Sequence, residues 1–448
     1  MIRISDDRDV FQARFDEVER QANANGSAWF EPRRREAMAS FASLGWPSSR
    51  QEAWRHFDAG PLRRTTFRYV HDPERVRIGR EALAQFQVHC LPGAQLVFVD
   101  GYFEPALSTA RALPPTVFAS DLASAIGHHR ALLEAHLARH ASFATQPFVA
   151  LNTALLHDGA CVHVPRGVVV KDPIHVLYLS TGARGPTVSH PRTIVLLDEQ
   201  AQLTLVEDFV SLGNEVHFTN PVSEIVLGRG AVLDYYKLQR ESKSALHVGA
   251  LEVAQAADSN FRSTSIAFGG SRTRNDLRCV LNGEGSSCSL HGLNVIGDHQ
   301  MVDDFTTIVH AQPHGTSQEL YKSILDGHAE GVFHGTVFVA KDAQKTSSRQ
   351  VNRNLVLSKD ALMNTKPELQ IHADDVKCSH GATIGELEED ALFYLRTRGL
   401  DAKTARRILT YAFANDVLEH IQLEPLRKTV ELDLFHFIPA GMGAKTPC

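Results

Sequence analysis

Apolar and polar positions follow two rhythms along this chain, and the change between them divides it. Near the N-terminus Phe11, Phe15 and Val18 recur at i, i+4 and i+7, one face of a helix. Asp121 to His140 (DLASAIGHHRALLEAHLARH) repeats Leu122, Ile126, Leu132, Leu133 and Leu137 at helical spacing. Between them, Gln95 to Phe103 (QLVFVDGYF) predicts a short strand with an Asp-Gly turn. Residues 1–145 thus predict a mixed, mostly helical N-terminal domain. Trp54, set among charges in RQEAWRHF, is expected to anchor that domain on the next.

From about residue 146 the helical period disappears. A loose unit recurs instead: two to four apolar residues, a polar turn, a small residue, then alternation. It is visible in LLHDGACVHV ending at Val164, IVLLDEQAQLTLVEDF ending at Phe209 and IVLGRGAVLDYYKLQ ending at Gln239. The small residue falls at Ala160, Ala201, Ala231, Ala257, Ser286, Ala329 and Ala361, in steps of 26 to 43 residues. Irregular steps of that size predict the rungs of a β-solenoid, each burying its inward side chains by stacking on its neighbours. The predicted β core runs over 146–380.

The core ends in KPELQIHADDVKCSHGAT, Lys366 to Thr383. Leu369 and Ile371 alternate with Gln370 and His372, and a polar turn with Asp374, Asp375 and Lys377 follows. Cys378 and His380, two residues apart on extended backbone, face the same side. Thiolate and imidazole are both soft-metal ligands. Asp374 and Asp375 would either tune the pair or close the turn.

Residues 386–421 return to helix. Leu387, Ala391, Leu392 and Leu395 form one stripe; Arg396, Arg398 and Gly399 mark its end. Asp401 is the N-cap of a second helix with Ala405, Ile408, Leu409, Ala412, Phe413 and Leu418. The tail is expected to add a short strand at Val430–Phe437. Residues 381–448 make the C-terminal helical domain and tail, and the fold class is mainly β.

Composition narrows the function. An apolar fraction of 43%, a charged fraction of 22% and a net charge of −6 are those of an ordinary soluble domain, with no electrostatic case for nucleic acid. No apolar run spans a bilayer, and the acidic start MIRISDDRDVFQARF is no secretory signal. The six cysteines are sparse and none forms CxxC, which points to reduced thiols in the cytoplasm. Most of the 23 histidines read as surface or hydrogen-bonded imidazoles. There is no GxxxxGK[ST] loop and no strand-borne GxGxxG, so the chain itself is expected to bind no nucleotide. GxSxG and HExxH are absent as well. GGSRTRND (Gly269–Asp276) reads as a solenoid turn. His310 and His314 are separated by Pro313 and followed by Gly315, which excludes a helical metal pair. Cys279 and Cys288 are best read as buried small hydrophobes.

The stretch from Ala373 to Phe413, ADDVKCSHGATIGELEEDALFYLRTRGLDAKTARRILTYAF, resembles the C-terminal signature of the SufB–SufD family of iron–sulfur cluster assembly scaffolds, on its SufD side. The resemblance continues through FHGTVFVAKDAQKTSSRQVNRNLVLSKDA and, more weakly, RQEAWRHF and LVFVDGYF. The SufB side carries a cysteine where LVLSKDALMNTKPEL has none, and a His-Glu pair where this chain has His380-Gly381. Both departures are SufD-like and speak against a role as primary sulfur acceptor.

The resemblance implies a right-handed parallel β-helix between two helical domains, and a non-enzymatic scaffold subunit. Its implied partners are SufB, forming a heterodimer through the β-helix ends, and the SufC ATPase, present in two copies in the complex, of which one would dock on the C-terminal hairpin through Arg406, Arg407, Phe413 and Tyr394. A homodimer is an alternative for the isolated chain. A transient iron–sulfur cluster, shared with SufB, would be held by His380 and Cys378. The competing readings are SufB itself, or a β-helix carbohydrate-active enzyme using Asp303, Asp304 and Arg278. A hexapeptide-type acyltransferase is disfavoured by rungs that are too long.

Overall fold

The computed structural model describes residues 8–21, 27–70, 76–88, 91–109, 113–182 and 185–437. From Ala160 to Gly385 the chain shuttles between two sheets, each strand pairing in parallel with the strand one turn earlier, and completes about eight turns of a β-solenoid. The late turns are the most regular: Ser287–Ile296, Thr316–Leu325, Ser347–Val356 and Lys377–Gly385 stack in one sheet. Arg272–Leu281, Met301–His310, Glu330–Val339 and Leu362–Ile371 stack in the other.

One corner of six successive turns carries a residue in the left-handed region: Gln200, Gly230, Asp258, Gly285, His314 and Lys345. The N–H of each donates to a carbonyl of the next turn, from Gln200 to Arg229 (2.8 Å) through His314 to Gln344 (2.9 Å) and Lys345 to Asp375 (2.7 Å). Gly, Asp and other polar residues recur there because that conformation tolerates them. The small-residue series is therefore two series. Ala201, Ala231 and Ser286 precede strands of one sheet, and Ala329 and Ala361 precede strands of the other. Ala257 lies within a turn, and Ser259 is the buried small residue of that rung.

The N-terminal domain packs on one end and one face. Phe11, Phe15 and Val18 are buried on the helix Arg8–Gln21, as their spacing predicts. The strands Ala94–Val99 and Tyr102–Phe103 pair antiparallel and close one sheet; Phe118–Asp121 closes the other. Trp54 is the expected anchor: the Arg274 guanidinium lies 3.9 Å from its ring centroid and donates to the Ala53 carbonyl (2.8 Å).

Two expectations change. Residues 121–140 are not one helix but Leu122–His128 and Arg130–Glu134, followed by turns. The chain leaves the helical path to bring the N–H groups of Ala138, His140 and Ala141 onto the buried Glu224 carboxylate (2.8–2.9 Å). Val430–Phe437 is not a strand but part of the helix Glu424–Phe437. Leu426, Val430 and Leu434 at i, i+4, i+8 are its buried face, and the alternating Leu432 points to solvent. With Glu389–Thr397 and Ala402–Leu418 it forms the C-terminal helical unit. Asp401 caps the second of these helices, accepting from Lys403 and Thr404, and Gly399 ends the first with positive φ.

Candidate functional site at the last turn

The last turn consists of Leu362–Ile371 and Lys377–Gly385, the final strand of each sheet, and among the described residues neither has a further strand on its outer edge. Pro367, which lacks an N–H, is tolerated within such an edge strand. Between the strands, Asp375 pairs with Lys345, its N–H donates to Gln344 Oε1 (2.9 Å), and Gln344 Nε2 donates to Asp374 (2.8 Å). The two aspartates thus close the turn onto the previous rung.

Cys378 and His380 lie on the final strand, opposite Ser348 and Gln350 of the rung below. Ser348 and Gln350 are buried, so this column faces the solenoid interior, and at the open end that interior meets solvent. Cys378 is half-buried against the inner core, and burial pushes its thiol pKa up against a backbone hydrogen bond from Ser348. His380 is exposed. Among the described residues no group of three or more His, Cys, Asp and Glu side chains is gathered for a metal ion. The donor set on this face is therefore one thiol and one imidazole. It fits part of the ligand shell of an iron–sulfur cluster and leaves the remaining positions to groups from outside the chain.

Other candidates resolve differently. Asp303 is buried and ion-paired with Arg274 (2.5 Å); Asp304 is buried between Asn275 (3.0 Å) and Asn294 (2.7 Å). Arg278 faces Glu252 at 3.5 Å. Asp304 points into the stack, whereas Asp303 is buried on the opposite face with Arg274, beneath Trp54 of the N-terminal domain, so the two carboxylates proposed for carbohydrate chemistry face different sides of the sheet. His310 ends a strand with Nε2 on Ser317 (2.8 Å), and His314 occupies the left-handed corner, so they are separate imidazoles. Cys279 and Cys288 are buried, and Cys279 Sγ donates to Gln255 (3.1 Å). Gly269–Gly270 turn as expected, and from Arg272 the GGSRTRND segment is already strand.

On the helical unit, Tyr394 is exposed beside Phe393, the most exposed of the large apolar side chains at 68%. Arg406 is exposed and reaches the Leu357 carbonyl (3.3 Å), and Arg407 is half-buried. Phe413 turns inward: Lys322 Nζ lies 4.3 Å from its ring centroid and donates to its carbonyl (2.8 Å). The alternation of KTSSRQVNRNLV hid one feature. Ser348, Gln350 and Asn352 are polar at inward positions, directly beneath the Cys378–His380 face.

Residues 178–413 match the family described as SUF system FeS cluster assembly, SufBD core domain, and residues 6–176 match the SufBD protein N-terminal region. The chain belongs to the SufBD family. One similar SufBD relative is an iron–sulfur cluster assembly SufBD family protein of Synechocystis, 35% identical with 88% of each chain covered. Another is the iron–sulfur cluster assembly protein SufD of Escherichia coli, 30% identical over 92% of this chain and 93% of the relative. The chloroplastic protein ABCI7 of Arabidopsis thaliana is 32% identical over 86% of this chain and 81% of its own. As a SufBD protein, the chain is an iron–sulfur cluster assembly protein, and no helix among its described residues is long and apolar enough to cross a membrane.

Proposed function

We propose that this chain is the SufD-type scaffold subunit of a cytoplasmic cluster-assembly complex. In this reading it pairs the open end of its solenoid with that of a SufB-type paralogue, and its C-terminal helices dock a SufC-type ATPase that supplies the nucleotide chemistry this chain lacks. The cluster is cargo, nucleated at the joint, with His380 and Cys378 supplying ligands from this side. The observation that carries the reading is the last turn: both sheets end on unpaired strands, and the thiol and imidazole face the resulting opening. Unpaired edges are templates for another chain's strands, and a stack without a cap exposes its core. The exposed Leu362, Ile371 and Ile384 at this end would be covered by such pairing. An isolated chain would use the same edges to pair with itself. Free Cys161, Cys279, Cys288 and Cys378 agree with a reducing compartment.

The test is co-expression with SufB- and SufC-type partners, then size exclusion and iron and sulfide counts. His380→Ala is expected to lower iron at least severalfold while leaving the complex assembled; unchanged loading and cluster transfer would remove the ligand role. Reversing the charge of Arg406 and Arg407 is expected to weaken capture of the ATPase subunit. Capture at full strength would reduce the helical unit to internal packing. Phe413→Asp is a less specific probe because it also breaks the Lys322 contact.

A further inference from the structure

Glu319, Gln350 and His380 form one inward column on successive strands, in direct register. Gln350 is fully buried, and its Nε2 donates to Glu319 Oε2 at 2.6 Å, toward the rung below. Its Oε1 is buried without any hydrogen-bond partner. An unpaired buried carbonyl is a standing cost of roughly 1–3 kcal/mol, and it is uncommon enough to ask what it is for. The amide lies close over Gly335, where an added Cβ would approach Gln350 Nε2 to 2.4 Å. The rung above contributes His380, exposed and on the same side of the sheet.

A histidine that ligates a metal through one ring nitrogen usually donates the other N–H to a carbonyl or carboxylate, which fixes its tautomer and orientation. Gln350 offers such an acceptor one rung below His380, with its other end anchored on Glu319. We propose that Gln350 is the positioning residue for His380: when the open end is covered, the imidazole folds inward, Nδ1–H donates to Gln350 Oε1, and Nε2 is presented to iron. The proposal rests on the ligand role given to His380 above. Gln350 touches no iron itself. It selects the tautomer and turns an exposed imidazole into an oriented ligand.

The experiment uses the co-expressed complex, reconstituted with ferrous iron and sulfide, in five forms: unmodified, His380→Ala, Gln350→Met, Gln350→Glu, and His380→Ala with Gln350→Met. Iron and sulfide are counted, and nitrogen coupling to the reduced cluster is read by pulsed EPR. Gln350→Met keeps the length and loses the acceptor, so iron affinity is expected to fall about tenfold with a weakened histidine nitrogen coupling. Gln350→Glu keeps an acceptor oxygen and should stay within about twofold of the unmodified complex. In the His380→Ala background, Gln350→Met should add nothing.

Loss in His380→Ala with normal loading and coupling in Gln350→Met would overturn the positioning role and leave the ligand role intact. An additional loss from Gln350→Met in the His380→Ala background would make Gln350 a merely structural residue and also overturn it. Normal loading in His380→Ala would overturn both readings at once. Capture of the SufB-type partner by each variant reports that the chain has folded.

Discussion

The two ends of the solenoid are built from the same repeating turn and treated in opposite ways. At the N-terminal end each sheet is closed by a short antiparallel strand, and helices cover what remains. The interior there is largely apolar, with Val162, Val195, Leu197, Leu205 and Leu227 buried to 3% exposure or less, around one closed polar cluster in which Thr193, Ser223 and Tyr235 donate to the buried Glu207. At the C-terminal end both last strands have, among the described residues, no partner strand on their outer edge, and the inward column there is polar through Ser317, Glu319, Ser348 and Gln350. A stack of rungs has to end somewhere, and an end is either capped by the chain or left for a partner. The capped end holds the fold together; the open end is where chemistry is available.

Perturbations of the two ends should differ accordingly. The largest effect is expected at the cap. Glu224 is fully buried, binds Arg192 at 2.7 Å and receives three backbone N–H groups from residues 138–141. Arg192 holds its carboxyl below the usual range against the opposing effect of burial. Glu224→Leu leaves Arg192 as an uncompensated buried charge and should cost about 3–5 kcal/mol in denaturant unfolding. A loss below about 1 kcal/mol would break the claim that this end carries the stability. Leu205→Ala, in the apolar interior, should cost about 2–5 kcal/mol. Ile384→Ala at the open end, where the side chain is 52% exposed, should stay within about 0.5 kcal/mol for the isolated chain.

The polar interior has its own signature in pH. Burial raises the Glu319 carboxyl to about 7, so the folded chain keeps a proton that the unfolded chain releases near its ordinary value. A carboxylate raised in this way contributes stability below the unfolded pKa and loses it as pH rises toward the folded one. Raising pH from about 4.5 to 7 should therefore loosen the late rungs by up to about 3 kcal/mol. Hydrogen-exchange protection over 301–356, corrected for the intrinsic rate at each pH, should show this, and Glu319→Gln should reduce the pH dependence, leaving the part due to the buried Asp303, Asp304 and His310. A local effect is expected at the helical unit, where Asp401→Ala removes a cap and should cost about 1 kcal/mol, read as faster exchange over 402–406 only.

Alternation and turn chemistry made much of this legible in advance. The period-two runs suit a β-sandwich as well as a solenoid, and the recurring polar corners favoured the solenoid. Arg396, Gly399 and Asp401 marked the break between the two helices, and Cys378 and His380 were on one face of a strand whatever the rest of the chain did. Illegible features share a cause. Val430–Phe437 alternates like a strand, yet Leu426, Val430 and Leu434 also satisfy a helical stripe, and only the sheet surface beneath them chose the latter. The bend at Ala138 is imposed by Glu224, a residue far away in sequence. Gln350 looked like one polar residue among many until its register placed it beneath His380 with a carbonyl left over.

The local rules acting along a few residues determined that this chain makes stacked rungs, that a helical pair follows them, and that a thiol and an imidazole share one side of the last strand. Tertiary structure alone decided which side of each strand is interior, which end is closed, and which polar groups remain unpaired. Burial belongs to the stack: the same alternating strand is core when another rung covers it and a binding edge when none does.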